Sequence, residues 1–235
     1  MKAFFSINAG LITLAMFSAA QENIPDAAPI ADGPLVANPE QDTLDMADML
    51  YKQAQAPATK ENRQEYGRLL DLSLRKYLEF TQRFPQSAQA PLAEYRAAMC
   101  LEELGRKDEA HGLFLRLIQT GSPALVAASA YRLATDASSA GEIDKAIQYY
   151  QLVIRNAEQN DLKVDAQYRL GRLFLSSGNP EAAATMFCAV MGNPEADAKF
   201  VLVSRMGYAA LCADTGRLGC LLYTSPSPRD YAASR

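Results

Sequence analysis

The sequence predicts an all-α fold in which helical hairpins stack into a right-handed superhelix. Beyond Thr43, apolar residues recur at helical spacing, and neither strand-like alternation nor Asn-Gly turn pairs occur. Tyr95, Tyr131 and Tyr168 stand 36 and 37 residues apart, and each is followed by an arginine. A period of this length is typical of solenoids, in which each unit packs on its neighbours in sequence.

The first twenty residues, MKAFFSINAGLITLAMFSAA, have the layout of a secretory signal peptide. One positive charge at Lys2 precedes an apolar run over residues 3–17 and a small-residue exit, so we expect cleavage before Gln21. The alternative is a retained N-terminal core helix. No cysteine lies near the cleavage site, so no lipid attachment is expected. The sequence therefore predicts a protein exported to the periplasm of a bacterial-type cell.

Residues 21–42 form an acidic, proline-rich linker in this interpretation. Pro25, Pro29, Pro34 and Pro39 are spaced so that no helix can persist through the segment. We expect an extended tether between the signal peptide and a folded domain at residues 43–219.

Four further columns repeat together with the tyrosines. A small residue follows each tyrosine by three positions, a glycine by ten, an alanine by fifteen and an aromatic by nineteen. In chain order these columns are Ala98, Ala134 and Gly171; Gly105, Gly141 and Gly178; Ala110, Ala146 and Ala183; and Phe114, Tyr150 and Phe187. The glycine ends the first helix of a hairpin, since it tolerates a positive φ. The small residue and the alanine mark the close crossing of the two helices, and the aromatic is expected to fill the space toward the next copy.

These columns resemble the tetratricopeptide repeat (TPR) family, whose pattern places alanine twelve positions after a small residue and an aromatic four positions later. The period is slightly longer than that of the family, and Glu94, Ala130 and Gln167 replace its tryptophan. The resemblance implies a TPR-like solenoid of three to four hairpins. The predicted repeats lie at about 43–89, 90–126, 127–163 and 164–200, followed by a partial copy at 201–219.

The stretch from Tyr77 to Ala110 also resembles the repeats of two groups of bacterial envelope proteins. These groups are the outer-membrane assembly lipoproteins and the periplasmic cell-division coordinators. The residues that carry the resemblance are Phe80, Phe84, Pro85, Ser87, Ala90, Ala93, Tyr95, Gly105 and Ala110. The likeness extends over roughly residues 61–216. It implies a first repeat whose opening helix begins near Thr43 and whose second helix runs over residues 61–83.

The partial copy places Met206 in the tyrosine column and should continue into a second helix after Gly216. Pro226 and Pro228 forbid that helix. The stretch CLLYTSPSPRD resembles a translated sequencing-library adapter, so we interpret residues 220–235 as an artefact and the domain as C-terminally truncated. At face value the same residues would be a disordered regulatory tail with a reactive thiol at Cys220.

Composition and motifs argue against an enzyme, a cofactor or a metal site. The formal net charge is −4 and no basic cluster is present, which disfavours nucleic-acid binding, and no membrane segment is expected after signal removal. His111 is the only histidine, and we expect it at a solvent-facing helix position. Glu102 and Glu103 are adjacent and should lie on a solvated face. No nucleophile or phosphate-loop motif accompanies them.

Three cysteines remain once the adapter-like segment is set aside. Cys100, Cys188 and Cys212 each lie in an apolar helical pattern, so buried thiols are expected. A bridge between Cys188 and Cys212 stays open as an alternative in an oxidising compartment.

The candidate ligand surface is the concave wall formed by the first helices. The TPR resemblance implies ligand contacts at three columns of each first helix. These nine candidates are Tyr95, Arg96, Met99, Tyr131, Arg132, Thr135, Tyr168, Arg169 and Arg172. Tyrosines and arginines suit peptide recognition, because stiff rings supply contact area and guanidinium groups bind carboxylates or carbonyls. The alternative is structural: the tyrosines pack between hairpins and the arginines pair with acidic neighbours.

The family's carboxylate clamp is not reproduced, because Tyr95, Met99 and Asp165 occupy its lysine and asparagine columns and only Arg169 fits. The leading hypothesis is a non-enzymatic scaffold of the bacterial envelope that binds a peptide or another envelope protein. The alternative is an accessory TPR arm of a longer envelope protein, such as an enzyme or a secretion or assembly component. Self-association through an unfinished solenoid end is also open.

Overall fold

The computed structural model describes residues 38–214, and nearly all of this range is helical. The predicted signal peptide, the linker as far as residue 37 and residues 215–235, including the adapter-like segment, lie outside the described residues. Ten helices occupy the described range: α1 Pro39–Ala54, α2 Pro57–Glu61, α3 Arg63–Arg83, α4 Ala90–Glu103, α5 Lys107–Thr120, α6 Pro123–Ser139, α7 Ile143–Asn156, α8 Asn160–Ser176, α9 Pro180–Met191 and α10 Ala198–Asp214.

Helices that follow one another in the chain pack together as antiparallel hairpins. The hairpins are α1 with α3, α4 with α5, α6 with α7, and α8 with α9, while α10 packs on α9. The short α2 lies in the connection between α1 and α3. First helices also contact one another along the stack, α4 with α6 and α8 with α10. The predicted all-α superhelix of hairpins is therefore confirmed.

Helix starts follow local chemistry. Pro39, Pro123 and Pro180 each stand in the first turn of a helix, where no intrahelical N–H donor is needed. The side chains of Asn38 and Asn179 accept hydrogen bonds from backbone N–H groups of their helices. Helix α1 therefore begins at Pro39 rather than near Thr43, since the last proline of the predicted linker opens the helix instead of preventing it.

The three glycines of the repeated column end their first helices in the left-handed region. The φ angles of Gly105, Gly141 and Gly178 are 79°, 76° and 75°. The residue after each glycine donates a backbone hydrogen bond five residues back, such as Glu142 N to Ala137 O at 2.9 Å. These paired bonds form a Schellman motif, which satisfies the last carbonyls of the helix. The predicted hairpin turn is confirmed in all three copies.

The remaining repeated columns form the core of each hairpin. The small residues Ala98, Ala134 and Gly171 are buried, as are the three alanines of the second helices and the three aromatics that follow them. Contact at the crossing is tight. A Cβ atom added at Gly171 would lie 2.8 Å from Cε1 of Phe187. The size of the aromatic ring therefore limits the residue opposite it.

Helix α10 carries an exposed apolar stripe. Leu202 and Met206 are 59% and 64% exposed, and they lie four residues apart on one face. Met206 stands in the column whose tyrosines pack on a second helix in the preceding hairpins. The stripe is therefore the face of α10 on which a second helix would pack.

Replacing Gly141 by alanine should destabilise the protein by about 1–2 kcal/mol, because an L-residue is strained at a φ of 76°. Steric contact would not contribute, since an added Cβ would have no neighbour within 4 Å. Urea unfolding followed by circular dichroism measures the change.

Gly112→Ala is the matched control, because Gly112 lies exposed within α5 and should gain about 0.5–1 kcal/mol from the same substitution. Equal changes in stability for the two variants would contradict the role assigned to the glycine column.

Candidate functional site

The nine candidate residues lie on α4, α6 and α8, three on each helix. We call the surface formed by these helices the first-helix wall. None of the nine is fully buried: Arg169 and Arg172 are exposed, and the other seven are partly buried. The wall therefore presents parts of these side chains to solvent, and their contacts determine which of them are available to a ligand.

The three tyrosines are held by ring contacts within their own hairpins. Tyr95 packs on Phe114 with centroids 5.8 Å apart, and Tyr131 meets Tyr150 edge to face at 6.1 Å. Tyr168 lies between Phe187 at 6.3 Å and Phe200 of α10 at 6.1 Å. Each ring is held by at least one aromatic neighbour and remains partly exposed, which suits a preorganised contact surface.

Arg96 joins α4 to α1. Its Nη1 forms an ion pair with the carboxylate of Asp48, which also accepts a 2.6 Å hydrogen bond from the hydroxyl of Tyr77 on α3. Burial, with the hydrogen bond to Asp48, raises the pKa of Tyr77. The Arg96 guanidinium thus balances a charge shared by three helices, which favours a structural role for this candidate.

Arg132 joins α6 to α4 more loosely. Its Nη1 lies 3.6 Å from Oε2 of Glu102. Burial raises the pKa of Glu102, although the charge of Arg132 opposes this effect. Glu102 is therefore partly enclosed between hairpins, and the prediction of a solvated face for this carboxylate is wrong.

Arg169 takes part in a network that joins α8 to α6. Its Nε donates to both oxygens of Asp165, at 3.0 and 2.9 Å, and the Tyr131 hydroxyl donates to the same carboxylate. The guanidinium carbon lies 5.6 Å from the centre of the Tyr131 ring. Burial, together with Asp165, raises the pKa of Tyr131 to about 12.

The residues of the third column, Met99, Thr135 and Arg172, have different surroundings. Met99 packs against the core of the first hairpins, and the Thr135 hydroxyl donates to the carbonyl of Tyr131 at 2.9 Å. Arg172 instead extends over the Tyr168 ring, 5.9 Å from its centre. Among the three residues of this column, Arg172 alone presents a charged group on the wall.

Arg169 and Arg172 line a cavity of about 300 Å³ between α6, α7 and α8. Ser138, Ser176 and the ring of Tyr150 contribute to the same cavity. The structure thus brings two candidates from the third copy of the repeat to one site, while Arg96 and Arg132 belong to separate interhelical contacts.

Glu103 is the centre of a polar cluster that sequence reasoning missed. Its carboxylate accepts hydrogen bonds from the Tyr51 hydroxyl at 2.8 Å, from Gln55 Nε2 at 2.7 Å and from the Tyr66 hydroxyl. The prediction of a solvated face is wrong here too, because α1 and α3 enclose the end of α4. The corresponding positions in later copies are not acidic, so the repeat pattern gives no signal for this cluster.

His111 also has a partner that the sequence did not indicate. Its Nε2 lies 2.9 Å from Oδ2 of Asp136, and Lys107 Nζ donates to Oδ1 at 3.0 Å. Burial opposes ionisation of Asp136, but the hydrogen bonds from His111 and Lys107 lower the pKa of this carboxyl. The group borders a cavity of about 440 Å³ between α5, α6 and α7, and the His111 side chain is 37% exposed, which agrees with the predicted solvent-facing position.

The cysteine predictions are only partly met. Cys100 is buried, and burial raises the pKa of its thiol to about 12. Cys212 is buried as well, whereas Cys188 is exposed, contrary to the expectation. No disulfide joins Cys188 to Cys212.

Two features of the described residues bear on the class of site. Within residues 38–214, no group of three or more His, Cys, Asp or Glu side chains is arranged to hold a metal ion. In the same range, none of the helices combines the length and the apolar character that crossing a membrane requires.

Family comparisons agree with the hairpin geometry. Models of the tetratricopeptide repeat match residues 92–120 and 131–191. These two segments are therefore similar to tetratricopeptide repeats. They include α4 with α5 and most of the range from α6 to α9, and thus all nine candidates. No match was found among curated proteins.

Solved structures show the same fold at low sequence identity. A tetratricopeptide repeat protein from Parabacteroides merdae is 15% identical with a TM-score of 0.52; the match covers 77% of this chain and 64% of that protein. BtubC (BKLC) from P. vanneervenii is 16% identical with a TM-score of 0.53, covering 84% and 93%. The kinesin light chain TPR-like repeats from Podosopora anserina are 14% identical with a TM-score of 0.51, covering 78% and 90%.

Arg96→Ala should lower the free energy of unfolding by about 1 kcal/mol, because Asp48 would lose its counterion between helices. Arg155→Ala is the control, since Arg155 is exposed on α7 and forms no ion pair among the described residues. Thermal melts followed by circular dichroism compare the two. If both variants melted like the wild type, the structural role of Arg96 would be rejected.

Stability should fall as the pH rises from about 10 to about 12. Tyr66 and Tyr131 have folded-state pKa values of about 12, above the ordinary value of 10.0, so the stability linked to their protonation is lost across this window. Tyr131→Phe should make the loss shallower. Urea midpoints measured at intervals across this pH range provide the test, and an unchanged slope in the variant would contradict it.

Proposed function

We propose that the chain is a non-enzymatic protein–protein interaction module that binds a peptide or a partner protein on its first-helix wall. The tetratricopeptide repeats at residues 92–120 and 131–191 support this class of function, since stacked helical hairpins form extended concave binding surfaces. The observation that carries the proposal is the combination, on α8 and its neighbours, of fixed aromatic rings with cationic groups that face an open cavity.

The binding chemistry is assigned to the part of the wall between α6 and α8. Arg96 and Arg132 are occupied by Asp48 and Glu102, so these two arginines mainly hold hairpins together. Between α6 and α8, the rings of Tyr131 and Tyr168 are already ordered by their packing. Binding a peptide there would therefore cost little side-chain entropy at these two tyrosines.

The proposed setting is the periplasm or another exported location in a bacterial envelope. Support comes from the sequence of residues 1–20, with its single lysine and its apolar run. Fusing residues 1–37 to alkaline phosphatase tests the setting, because that reporter is active only after export. An inactive fusion that stays in the cytoplasm would reject the exported location and favour a retained helix.

A second candidate function is an accessory arm of a longer envelope protein. The exposed stripe of Leu202 and Met206 on α10 favours it. In each preceding hairpin, the equivalent face of the first helix is covered by the second helix. In that case the wall would serve the larger protein as a docking arm.

Peptide selection from a random library tests the interaction function while the partner is unidentified. Random peptides displayed on phage are selected on the full chain, and affinities of the selected peptides are measured by fluorescence polarisation. The double variant Arg169→Ala/Arg172→Ala should bind at least about tenfold more weakly, as expected when charge-assisted hydrogen bonds are lost.

Arg63→Ala/Arg155→Ala is the matched control, since it removes the same charge at two exposed positions away from the cavity. It should bind within about twofold of the wild type if the wall is the site, because distant surface charges have small effects. Equal losses in the two double variants would place binding elsewhere, and failure to select any peptide would contradict the function.

A further inference from the structure

We propose that the cavity between α6, α7 and α8 is a binding site for a carboxylate side chain of an acidic peptide. This inference rests on the proposed function and specifies the ligand class for part of the first-helix wall. The cavity has a volume of about 300 Å³ and is bordered by two arginines, two serines and three larger apolar or aromatic side chains: Arg169, Arg172, Ser138, Ser176, Ile143, Tyr150 and Leu173.

The charge of the cavity lining is of one sign. Two guanidinium groups contribute to it, and no carboxylate does. The Nε of Arg169 donates hydrogen bonds to the carboxylate of Asp165, which does not line the cavity. Its two terminal amino groups have no hydrogen-bond acceptor among residues 38–214. They can therefore donate to an incoming anion without breaking the link to Asp165.

Arg172 is the arginine of the first-helix wall whose charge is least compensated by a neighbouring carboxylate. Over the part of the chain that the structure describes, it has no ion pair, and its one partner is the ring of Tyr168. Asp165 already accepts from the Tyr131 hydroxyl and from Arg169, so its oxygens are engaged. By contrast, Arg96, Arg132 and Arg169 each have a carboxylate partner within 4 Å.

The other side chains fit a carboxylate at the end of a short aliphatic stem. The Ser138 hydroxyl has no side-chain hydrogen bond among the described residues, so it can donate to an oxygen of the ligand. Ser176 already donates to the carbonyl of Leu173 at 2.9 Å. Ile143 and the buried ring of Tyr150 provide apolar contacts for the methylene groups of a glutamate side chain.

The cavity beside His111, between α5, α6 and α7, lacks this selectivity for charge. Its 440 Å³ are bordered by Lys107 and Lys145 but also by Asp136 and Glu142, and these groups pair with one another. A ligand anion there would have to compete with internal carboxylates. Of these two cavities, the smaller is therefore the one whose chemistry selects an anion.

The experiment uses a fluorescein-labelled peptide of alternating glutamate and glycine, with its glutamine counterpart as the neutral probe. Fluorescence polarisation on the full chain should show binding of the glutamate peptide and at least about tenfold weaker binding of the glutamine peptide. Arg172→Ala should weaken the glutamate peptide by about tenfold and leave the glutamine peptide unchanged. Inorganic phosphate should compete with the glutamate peptide on the wild type.

Arg155→Ala is the control for loss of one positive charge and should bind like the wild type. Circular dichroism melts of Arg172→Ala should match the wild type, because this residue has only the ring contact with Tyr168. Equal binding of the two peptides, or wild-type binding by Arg172→Ala, would overturn the assignment. Binding of phosphate without the glutamate peptide would overturn it as well.

The failure of this inference can be told apart from failure of the proposed function. If phage-selected peptides bind the wall while the glutamate peptide does not, the carboxylate site is rejected and the interaction module stands. If neither kind of peptide binds, both proposals are rejected.

Discussion

The close fit between the aromatic ring of a second helix and the small residue of its first helix is the constraint on which the rest of the structure depends. At Gly171 this fit leaves no room for a Cβ atom beside Phe187. Because the two helices of a hairpin approach so closely, the tyrosine that precedes the small residue by three positions must lie over the same ring. The partly exposed aromatic edges of the first-helix wall are thus a consequence of core packing.

Polar contacts then connect one hairpin to the next. Arg96 with Asp48, Arg132 with Glu102 and Tyr131 with Asp165 each span two first helices. Where a carboxylate is engaged in such a link, the arginine beside it is partly neutralised. The charge available to a ligand therefore depends on which arginines these links engage. On α8, the Arg172 guanidinium lies over the Tyr168 ring, which also contacts Phe200 of α10.

Features carried by the repeat were predictable from the sequence, whereas features that depend on pairing between columns were not. The glycine turns and the small, alanine and aromatic columns follow from backbone strain and close packing, which leave the same residue types in every copy. The partners of the arginines do not repeat: Asp48 belongs to α1, Glu102 lies in the last turn of α4, and Asp165 lies on the same helix as Arg169. No periodic pattern can indicate such contacts. For the same reason, the enclosure of Glu103 by α1 and α3 could not be predicted from the sequence.

The near-identical φ angles of Gly105, Gly141 and Gly178 have a consequence for the way such a chain can evolve. Each of these turns joins the two helices of one hairpin, so constant turn geometry gives every hairpin the same internal form, and duplicating one unit lengthens the wall by a hairpin of that form. New recognition groups can then be introduced on the added unit while the older ones keep their positions. A domain built in this way can gain specificity by extension, because the geometry of one hairpin is independent of the number that follow it.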